Sequence, residues 1–318
     1  MIELIKGNII EAKTFGDPAI TQNGYLAAKD GVVLGVFSAL PEQYANLPVT
    51  DYSGQLILQG FCDMHLHAPQ YPMLGMGMDL PLMDWLKAYT FKTEARFADS
   101  DFARGTYQRL AAELVKNGTT RVCVYSSTHA DATRILMQEL ERAGIGGFAG
   151  KVNMDRDSCE CQEGTEESKC ETLRWLEECV RFTKIKPILT PRFTPSCTNE
   201  LMGWLGKLAE ERGLYVQSHL SENYKEIELV KRLHPDCEQY WQTYDKYGLW
   251  KEHTIMAHCV HSDAREQQAM IDHNVLCVHC PDSNINICSG FAPVRQMKNR
   301  GVWLALGSDI AGGAQLPM

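Results

Sequence analysis

The sequence predicts an α/β fold, a TIM-like (β/α)8 barrel that follows a small β-rich domain. Eight short apolar runs of the kind that form strands buried on both faces recur between residues 56 and 309. Stretches with apolar residues at helical spacing separate most of these runs. A stretch of this size suits an eight-stranded barrel, which typically takes roughly 250 residues. We therefore predict a β-rich domain over 1–55 and a barrel over 56–318.

The first 55 residues are rich in β-branched side chains, and Asp30-Gly31 provides a turn signal between two such runs. The barrel strands are then expected, in order, at 56–65, 120–127, 147–154, 185–193, 214–220, 254–260, 275–280 and 302–309. A doubly wound open sheet is the alternative, but it requires a glycine-rich phosphate loop after an early strand. The glycine-dense turn at 75–78 follows no strand directly, which favours the barrel.

Composition excludes several classes of protein. Of the 318 residues, 44% are hydrophobic and 22% charged, which is typical of a globular protein and not of a disordered or fibrous one. The formal net charge of -9 repels phosphate groups on average, so we expect no nucleic-acid partner. No apolar run approaches the roughly 20 residues that cross a membrane, so we expect no membrane partner either.

The twelve cysteines are expected to be reduced thiols in the cytoplasm. The first residues carry acidic side chains within an apolar stretch and no small-residue cleavage site, which does not fit a secretory signal. Cys159 with Cys161 and Cys277 with Cys280 have spacings that would allow a structural zinc clip, which we regard as the less favoured interpretation. The acidic loop 155–168 is predicted to be a solvated excursion after the third barrel strand.

Side chains that bind metals follow several predicted strands at their carboxyl ends. Alternation along the first barrel strand places His65 and His67 on one face. His219, His258 and Asp309 come at the ends of the fifth, sixth and eighth strands. Because barrel enzymes build their sites at this end, these side chains are expected to converge. Imidazoles with one carboxylate suit zinc, or iron(II), better than magnesium or calcium.

Four further residues are candidates for chemistry around the metal. Glu222 stands three residues after His219 and can move protons as a general acid and base. Gln70 offers an amide donor and acceptor. Arg192 and Phe193, at the end of the fourth strand, together suit a flat ring that carries a carbonyl group. Taken singly, Arg192 could equally be a salt-bridged residue and Phe193 a core residue, whereas a surface glutamate is the less favoured interpretation of Glu222.

The residues Gly60–His67, His219–Glu222, Ala257–Cys259, Cys280–Asn284 and Gly307–Gly313 resemble the aminohydrolase branch of the amidohydrolase superfamily. Three further groups of residues resemble the guanine deaminases within that branch: 67–71, 82–86 with 89–91, and 191–193. The resemblance runs from the first barrel strand to the end of the chain.

The resemblance implies a zinc enzyme, and a homodimer, that converts guanine to xanthine and ammonia. Zinc would be held by matching residues, His65, His67, His219 and Asp309, with His258 as a further ligand or as a partner of the attacking water. In the same way Glu222 would shuttle a proton and Asp309 would accept one, while Gln70, Arg192 and Phe193 would hold the purine. A single metal ion per chain is expected, since the end of the fourth strand carries no lysine that could bridge two.

Relatives in this branch continue past the strand-8 aspartate, whereas this sequence ends at Met318. We therefore expect the last barrel helix and the C-terminal strands of the β-rich domain to be absent. Two other functions stay open from the sequence: a sister aminohydrolase acting on cytosine, a pterin or a triazine, and a catalytically silent barrel that serves as a scaffold.

Overall fold

The structure, a computed structural model, describes residues 1–14 and 16–315. Contacts divide the chain into two compact units, Met1–Gly60 and Phe61–Met318. None of the helices within the described ranges is long and apolar enough to cross a membrane.

The N-terminal unit is one four-stranded sheet. Its strands are β1 (Ile2–Thr14), β2 (Asp17–Lys29), β3 (Val32–Phe37) and β4 (Val49–Leu58), in the order β3-β2-β1-β4. β1 pairs antiparallel with β2 and parallel with β4. Asp30 and Gly31 join β2 to β3 with φ angles of 52° and 81°, so both residues of the predicted turn take the left-handed conformation that tight hairpins need.

The apolar run 56–65 is divided between two strands. Leu56, Ile57 and Leu58 pair with Asn8–Ile10 in the N-terminal sheet, and the first barrel strand begins only at Phe61. An apolar run shows that a segment is extended, but it does not show which sheet the segment joins. The prediction of one continuous strand was therefore wrong at its beginning and right at its end, where the histidines lie.

The second unit is built on parallel strands. They are β5 (Phe61–His67), β6 (Thr119–Tyr125), β7 (Gly146–Gly150), β8 (Val152–Asn153), β9 (Ile185–Pro187), β10 (Thr190–Pro191), β11 (Val216–Leu220), β12 (Thr254–His258), β13 (Leu276–His279) and β14 (Trp303–Leu306). β5-β6-β7-β9 and β11-β12-β13-β14 form two sheets, and β8 pairs with β10. The third and fourth predicted strands are each broken in two, giving β7 with β8 and β9 with β10.

Backbone hydrogen bonds link the two sheets at both edges. On one side, the Leu189 N–H donates to Tyr215 O at 3.0 Å, and the Gln217 N–H donates to Leu189 O at 2.9 Å. On the other, the Asp309 N–H donates to His65 O at 2.8 Å, and the His67 N–H donates to Ile310 O at 3.0 Å. The predicted eight-stranded (β/α)8 architecture is thereby confirmed.

The helices are α1 (Leu82–Trp85), α2 (Phe91–Ala95), α3 (Ser100–Lys116), α4 (Ala130–Arg142), α5 (Thr165–Glu178), α6 (Asn199–Arg212), α7 (Tyr224–Leu233), α8 (Gln242–Asp245), α9 (Ala264–Asp272), α10 (Pro281–Asn286) and α11 (Val294–Arg300). No helix follows β14 within the residues described up to 315. The short helices α1 and α2 pack through Leu82, Trp85 and Phe91 onto a cluster that includes Phe193 and Ile310. They therefore lie against the carboxyl ends of the strands, where the candidate site is.

Candidate metal centre and adjoining cavity

Five predicted side chains meet at the carboxyl ends of four strands. His65 and His67 lie on the same face of β5, His219 lies on β11, His258 ends β12, and Asp309 follows β14. All five are buried. Because parallel strands of a barrel end at one rim, residues that are far apart in sequence come together there.

The distances between these side chains are short enough for one ion. His67 Nε2 lies 3.1 Å from His219 Nε2. Asp309 Oδ1 lies 3.1 Å from His65 Nε2 and 3.5 Å from His67 Nε2. His258 Nε2 lies 3.8 Å from Asp309 Oδ2. Two overlapping groups, one of His65, His219 and His258 and one of His65, His67 and Asp309, each bring their ligand atoms within 4.8 Å of one another.

Hydrogen bonds orient two of the imidazoles. His219 Nδ1 lies 2.6 Å from the backbone oxygen of Arg192, and His258 Nδ1 lies 2.9 Å from Asn284 Oδ1. Both partners are acceptors, so each Nδ1 carries a proton. In the neutral form of the ring, Nε2 then presents its lone pair to the centre. Fixing the tautomer in this way is typical of histidines that bind a metal.

The electrostatics favour an ionised aspartate and three neutral imidazoles. The exception is His258, whose pKa is lowered by burial but raised overall by the carboxylates of Glu222 and Asp309. Burial lowers the pKa of His65 and lowers those of His67 and His219 well below the ordinary value. Burial raises the pKa of Asp309, but the neighbouring His65 outweighs it and the pKa is lowered overall. Ser283 Oγ also donates a hydrogen bond of 2.5 Å to Asp309 Oδ2. A neutral imidazole and a carboxylate are the forms that bind a metal ion.

This donor set fits a metal ion. His67 Nε2 and His219 Nε2 lie 3.1 Å apart in a buried site, close enough for both nitrogens to bind one cation. His65 Nε2 is buried, and its short contact of 3.1 Å is with Asp309 Oδ1, another candidate ligand. Within the described parts of the chain, the groups that could hold a metal all share His65, so they form one site. The cluster can therefore hold a metal ion.

Glu222 lies beside this centre, three residues beyond His219 as predicted. Its Oε2 is 3.4 Å from His258 Nε2, and Ser289 Oγ donates to its Oε1 at 3.1 Å. Burial raises the pKa of Glu222 to about 7, although His258 acts in the opposite direction. A carboxyl group of this kind can both take and give a proton near neutral pH.

A cavity adjoins the metal centre and contains the other predicted residues. Gln70, Arg192 and Phe193 line it together with Glu222 and four of the candidate ligands, His67, His219, His258 and Asp309. Apolar walls come from Leu82, Trp85, Leu86 and Ile287. All of the predicted site residues are thus brought to one place. His65 does not line the cavity itself but lies next to Asp309 in the ligand cluster.

Sequence reasoning missed a buried carboxylate behind this cavity. Glu94 on α2 accepts hydrogen bonds from Gln70 Nε2 at 2.8 Å and from an Arg192 Nη1 at 2.7 Å. Nothing in the sequence indicated it, since a glutamate in a short helix is usually solvated. Asn284, the partner of His258, was within a segment that carried the family resemblance, but it was given no role of its own.

The zinc clip that the spacing of Cys159 and Cys161 would allow finds no support. Cys161 is buried and donates to the backbone oxygen of Phe91 at 3.1 Å, whereas Cys159 is exposed.

The acidic loop 155–168 is only partly solvated, which corrects the prediction of a solvated excursion. Its Glu163 is buried and pairs with the fully buried Lys151 at 2.6 Å, because a buried lysine requires a nearby counter-charge.

Comparison with known proteins gives a consistent result. Residues 56–318 match the family model for the Amidohydrolase family. The chain is 37% identical to a guanine deaminase of Dictyostelium discoideum over 98% of this chain and 74% of that protein. It is 41% identical to a guanine deaminase of Rattus norvegicus over 83% of this chain and 59% of that protein.

A crystal structure of guanine deaminase from C. acetobutylicum, with guanine bound in its active site, superposes with a TM-score of 0.97. The two sequences are 44% identical, and the match covers 99% of this chain and 76% of that one. This chain thus spans between about three fifths and about three quarters of the length of these relatives. The chain belongs to the amidohydrolase family, within its guanine deaminase group.

Proposed function

We propose that this chain carries the site of a zinc-dependent enzyme that hydrolyses guanine to xanthine and ammonia. The observation that carries the proposal is the joint placement of a histidine and aspartate metal centre, Glu222 and the polar wall of Gln70 and Arg192 around one cavity. The guanine deaminases among its relatives support the choice of substrate.

The proposed metal ligands are His65, His67, His219 and Asp309, with His258 as a fifth ligand or as a partner of the attacking water. Nitrogen donors with one carboxylate favour zinc, and iron(II) is the alternative. One ion per chain is proposed, since the two candidate groups share His65. A bound zinc ion would supply a nucleophile from water at neutral pH, because coordination lowers the pKa of water to about 7.

The reaction forms one C–O bond and breaks one C–N bond. The oxygen of water replaces the exocyclic amino group of guanine, and the two protons of water end on a ring nitrogen and on the departing ammonia. We assign the movement of one of these protons to Glu222. Its pKa of about 7 suits both accepting the proton from water and donating it to the substrate. Asp309 would accept the other proton of water and pass it to the departing amino group, which leaves as ammonia. His258 Nε2, 3.4 Å from Glu222 Oε2, stabilises the ionised form of Glu222.

Gln70, Arg192 and Phe193 are proposed to hold the purine. Arg192 has only donors, so it faces an acceptor of the ring, and Phe193 offers an aromatic surface to the ring plane. Leu82, Trp85 and Leu86 exclude water from the cavity. Such positioning accounts for a large share of catalysis in a site whose chemistry is proton transfer.

Two further properties stay predictions. A cytoplasmic location agrees with the twelve cysteines, which are all free. A homodimer is predicted from the family resemblance alone, and light scattering of the purified chain would check it.

The test is xanthine and ammonia formation from guanine by the zinc-loaded chain, compared with the Glu222→Gln variant. We expect turnover by the wild type and a loss of about 10²- to 10⁴-fold in the variant, with zinc retained. Glu211→Gln, at an exposed position, is the matched control and should leave the rate unchanged. Turnover of cytosine, a pterin or a triazine in place of guanine would contradict the proposal, as would near-normal turnover by Glu222→Gln.

A further inference from the structure

Glu94 is a carboxylate that the proposed chemistry leaves without a role. It lies on α2 with none of its surface exposed, and it does not line the cavity itself. Its two oxygens take separate partners. Oε1 accepts from Gln70 Nε2 at 2.8 Å, and Oε2 accepts from Arg192 Nη1 at 2.7 Å. One side chain thus contacts both polar residues of the purine wall.

The contact with Glu94 helps to fix the amide of Gln70 in one orientation. Its Nε2 donates to Glu94, while its Oε1 accepts from the Ala311 N–H at 3.0 Å. A carboxylate can only accept here and a backbone N–H can only donate, so rotating the amide by half a turn would break both bonds. Gln70 therefore presents its remaining donor and acceptor to the cavity in a fixed order.

Arg192 is held on two sides by α2. Glu94 neutralises the guanidinium, and the ring of Phe91 lies 5.5 Å from its Cζ atom. The backbone oxygen of Arg192 also accepts from His219 Nδ1, so the same residue touches the metal centre. Glu94 uses one of the five N–H donors of Arg192, which leaves others for a ligand.

The energetics indicate a role other than stability. Burying an ion pair costs desolvation energy that roughly cancels its attraction, and apolar residues of similar volume often stabilise a protein as well or better. The pair of Glu94 and Arg192 is buried on both sides, at 0% and 3% side-chain exposure. Such a pair gives a defined position to a charge that must face a ligand.

We propose that Glu94 is the positioning residue for the purine, fixing Gln70 and Arg192 in the orientation that receives guanine. This inference rests on the proposed function of the site. Glu94 touches neither the substrate nor the metal and acts through these two residues.

The experiment compares Glu94→Gln and Glu94→Asp with the wild type in steady-state guanine deamination by the full zinc-loaded chain. An amide at position 94 must turn its NH2 group toward one of two donors, so one contact is lost. Aspartate keeps the charge that Arg192 needs but is one methylene too short to reach both partners. The matched control is Glu139→Gln, which changes a buried glutamate that pairs with Arg104 and Arg142 on the surface of the barrel.

We expect KM for guanine to rise about ten- to a hundredfold in both variants, with kcat changing much less, because the lost contacts hold the substrate rather than the reacting atoms. Zinc content should match the wild type, and Glu139→Gln should leave KM unchanged. If Glu94→Gln does not fold, Glu94→Asp alone decides the question.

The inference is overturned if folded, zinc-loaded Glu94→Asp has the wild-type KM. It is also overturned if the variants lose zinc or melt at a lower temperature while KM stays the same, since that result describes a purely structural residue. An inactive wild-type chain would overturn the proposed function and this inference together, whereas an active wild type with unaffected variants overturns the inference alone.

Discussion

At the scale of single residues, the metal centre depends on which nitrogen of each imidazole is free. His219 has its Nδ1 occupied by the Arg192 carbonyl, so its Nε2 lone pair faces the centre and His67 Nε2, which lies 3.1 Å away. Burial keeps the ring neutral by lowering its pKa. The geometry and the protonation state thus favour the same outcome, which is metal binding.

His219→Ala should remove zinc, because it deletes a ligand and leaves the Arg192 carbonyl without its donor. Even the loss of a partner outside the ligand shell typically costs 10- to 100-fold in metal affinity, so loss of a ligand should cost at least about as much. The measurement is zinc per chain after dialysis against a weak chelator. His253→Ala changes an exposed histidine and serves as the control. Full zinc occupancy in His219→Ala would show that the ligand set is wrong.

At the scale of elements, the turn from β11 to α7 carries Glu222 into the site. Ser221 has a φ of 47°, so the chain bends sharply after the strand. Glu226, on the first turn of α7, accepts from the N–H groups of Glu222 at 2.9 Å and Asn223 at 3.1 Å. Tyr240 donates to the other oxygen of Glu226 at 2.6 Å. The helix cap therefore also holds the backbone of the proposed proton carrier.

Glu226→Ala should lower kcat by about 10- to 100-fold while zinc stays bound, because a small displacement of a reacting group is costly. Loss of the cap should also cost about 1 kcal/mol of stability. Glu226→Gln should recover most of kcat, since its amide oxygen can accept from the backbone and its NH2 group can donate to Tyr240. Steady-state kinetics measures kcat, and zinc analysis of the same samples measures the bound metal. An equal loss of kcat in Glu226→Ala and Glu226→Gln would mean that the charge of Glu226, and not its hydrogen bonds, positions Glu222.

At the scale of the whole molecule, the sequence was most informative where barrel geometry and strand alternation act together. His65 and His67 share a face because side chains alternate along β5, and His219, His258 and Asp309 join them because parallel strands end at one rim. Glu94 could not be found in this way, since its partners come from other elements and helical spacing does not show what a side chain faces. The division of 56–65 between two sheets was also missed, because an apolar run shows that a segment is extended but not which sheet it joins.

Several carboxyl groups buried in the barrel make its stability depend on pH. Burial raises the pKa of Asp63 to about 6 and that of Glu266 to about 7. Glu266 accepts from Ser262 Oγ at 2.6 Å and from the Trp241 N–H at 3.3 Å, and neither partner is a cation. A carboxyl group with a raised pKa binds its proton more tightly in the folded chain than in the unfolded one.

Glu266 should therefore contribute stability that is fully present below its unfolded pKa of about 4.5 and is lost as pH rises through about 7. At about 1.4 kcal/mol per pKa unit, the complete change is on the order of 3 to 4 kcal/mol. Glu266→Gln cannot ionise, so the loss of stability between pH 5 and pH 8 should be smaller in this variant than in the wild type. Urea unfolding of the zinc-loaded wild type and variant at pH 5 and pH 8 measures the change in the free energy of unfolding. Exposed Glu211→Gln should follow the wild type, and parallel pH profiles for wild type and Glu266→Gln would contradict a neutral, buried Glu266.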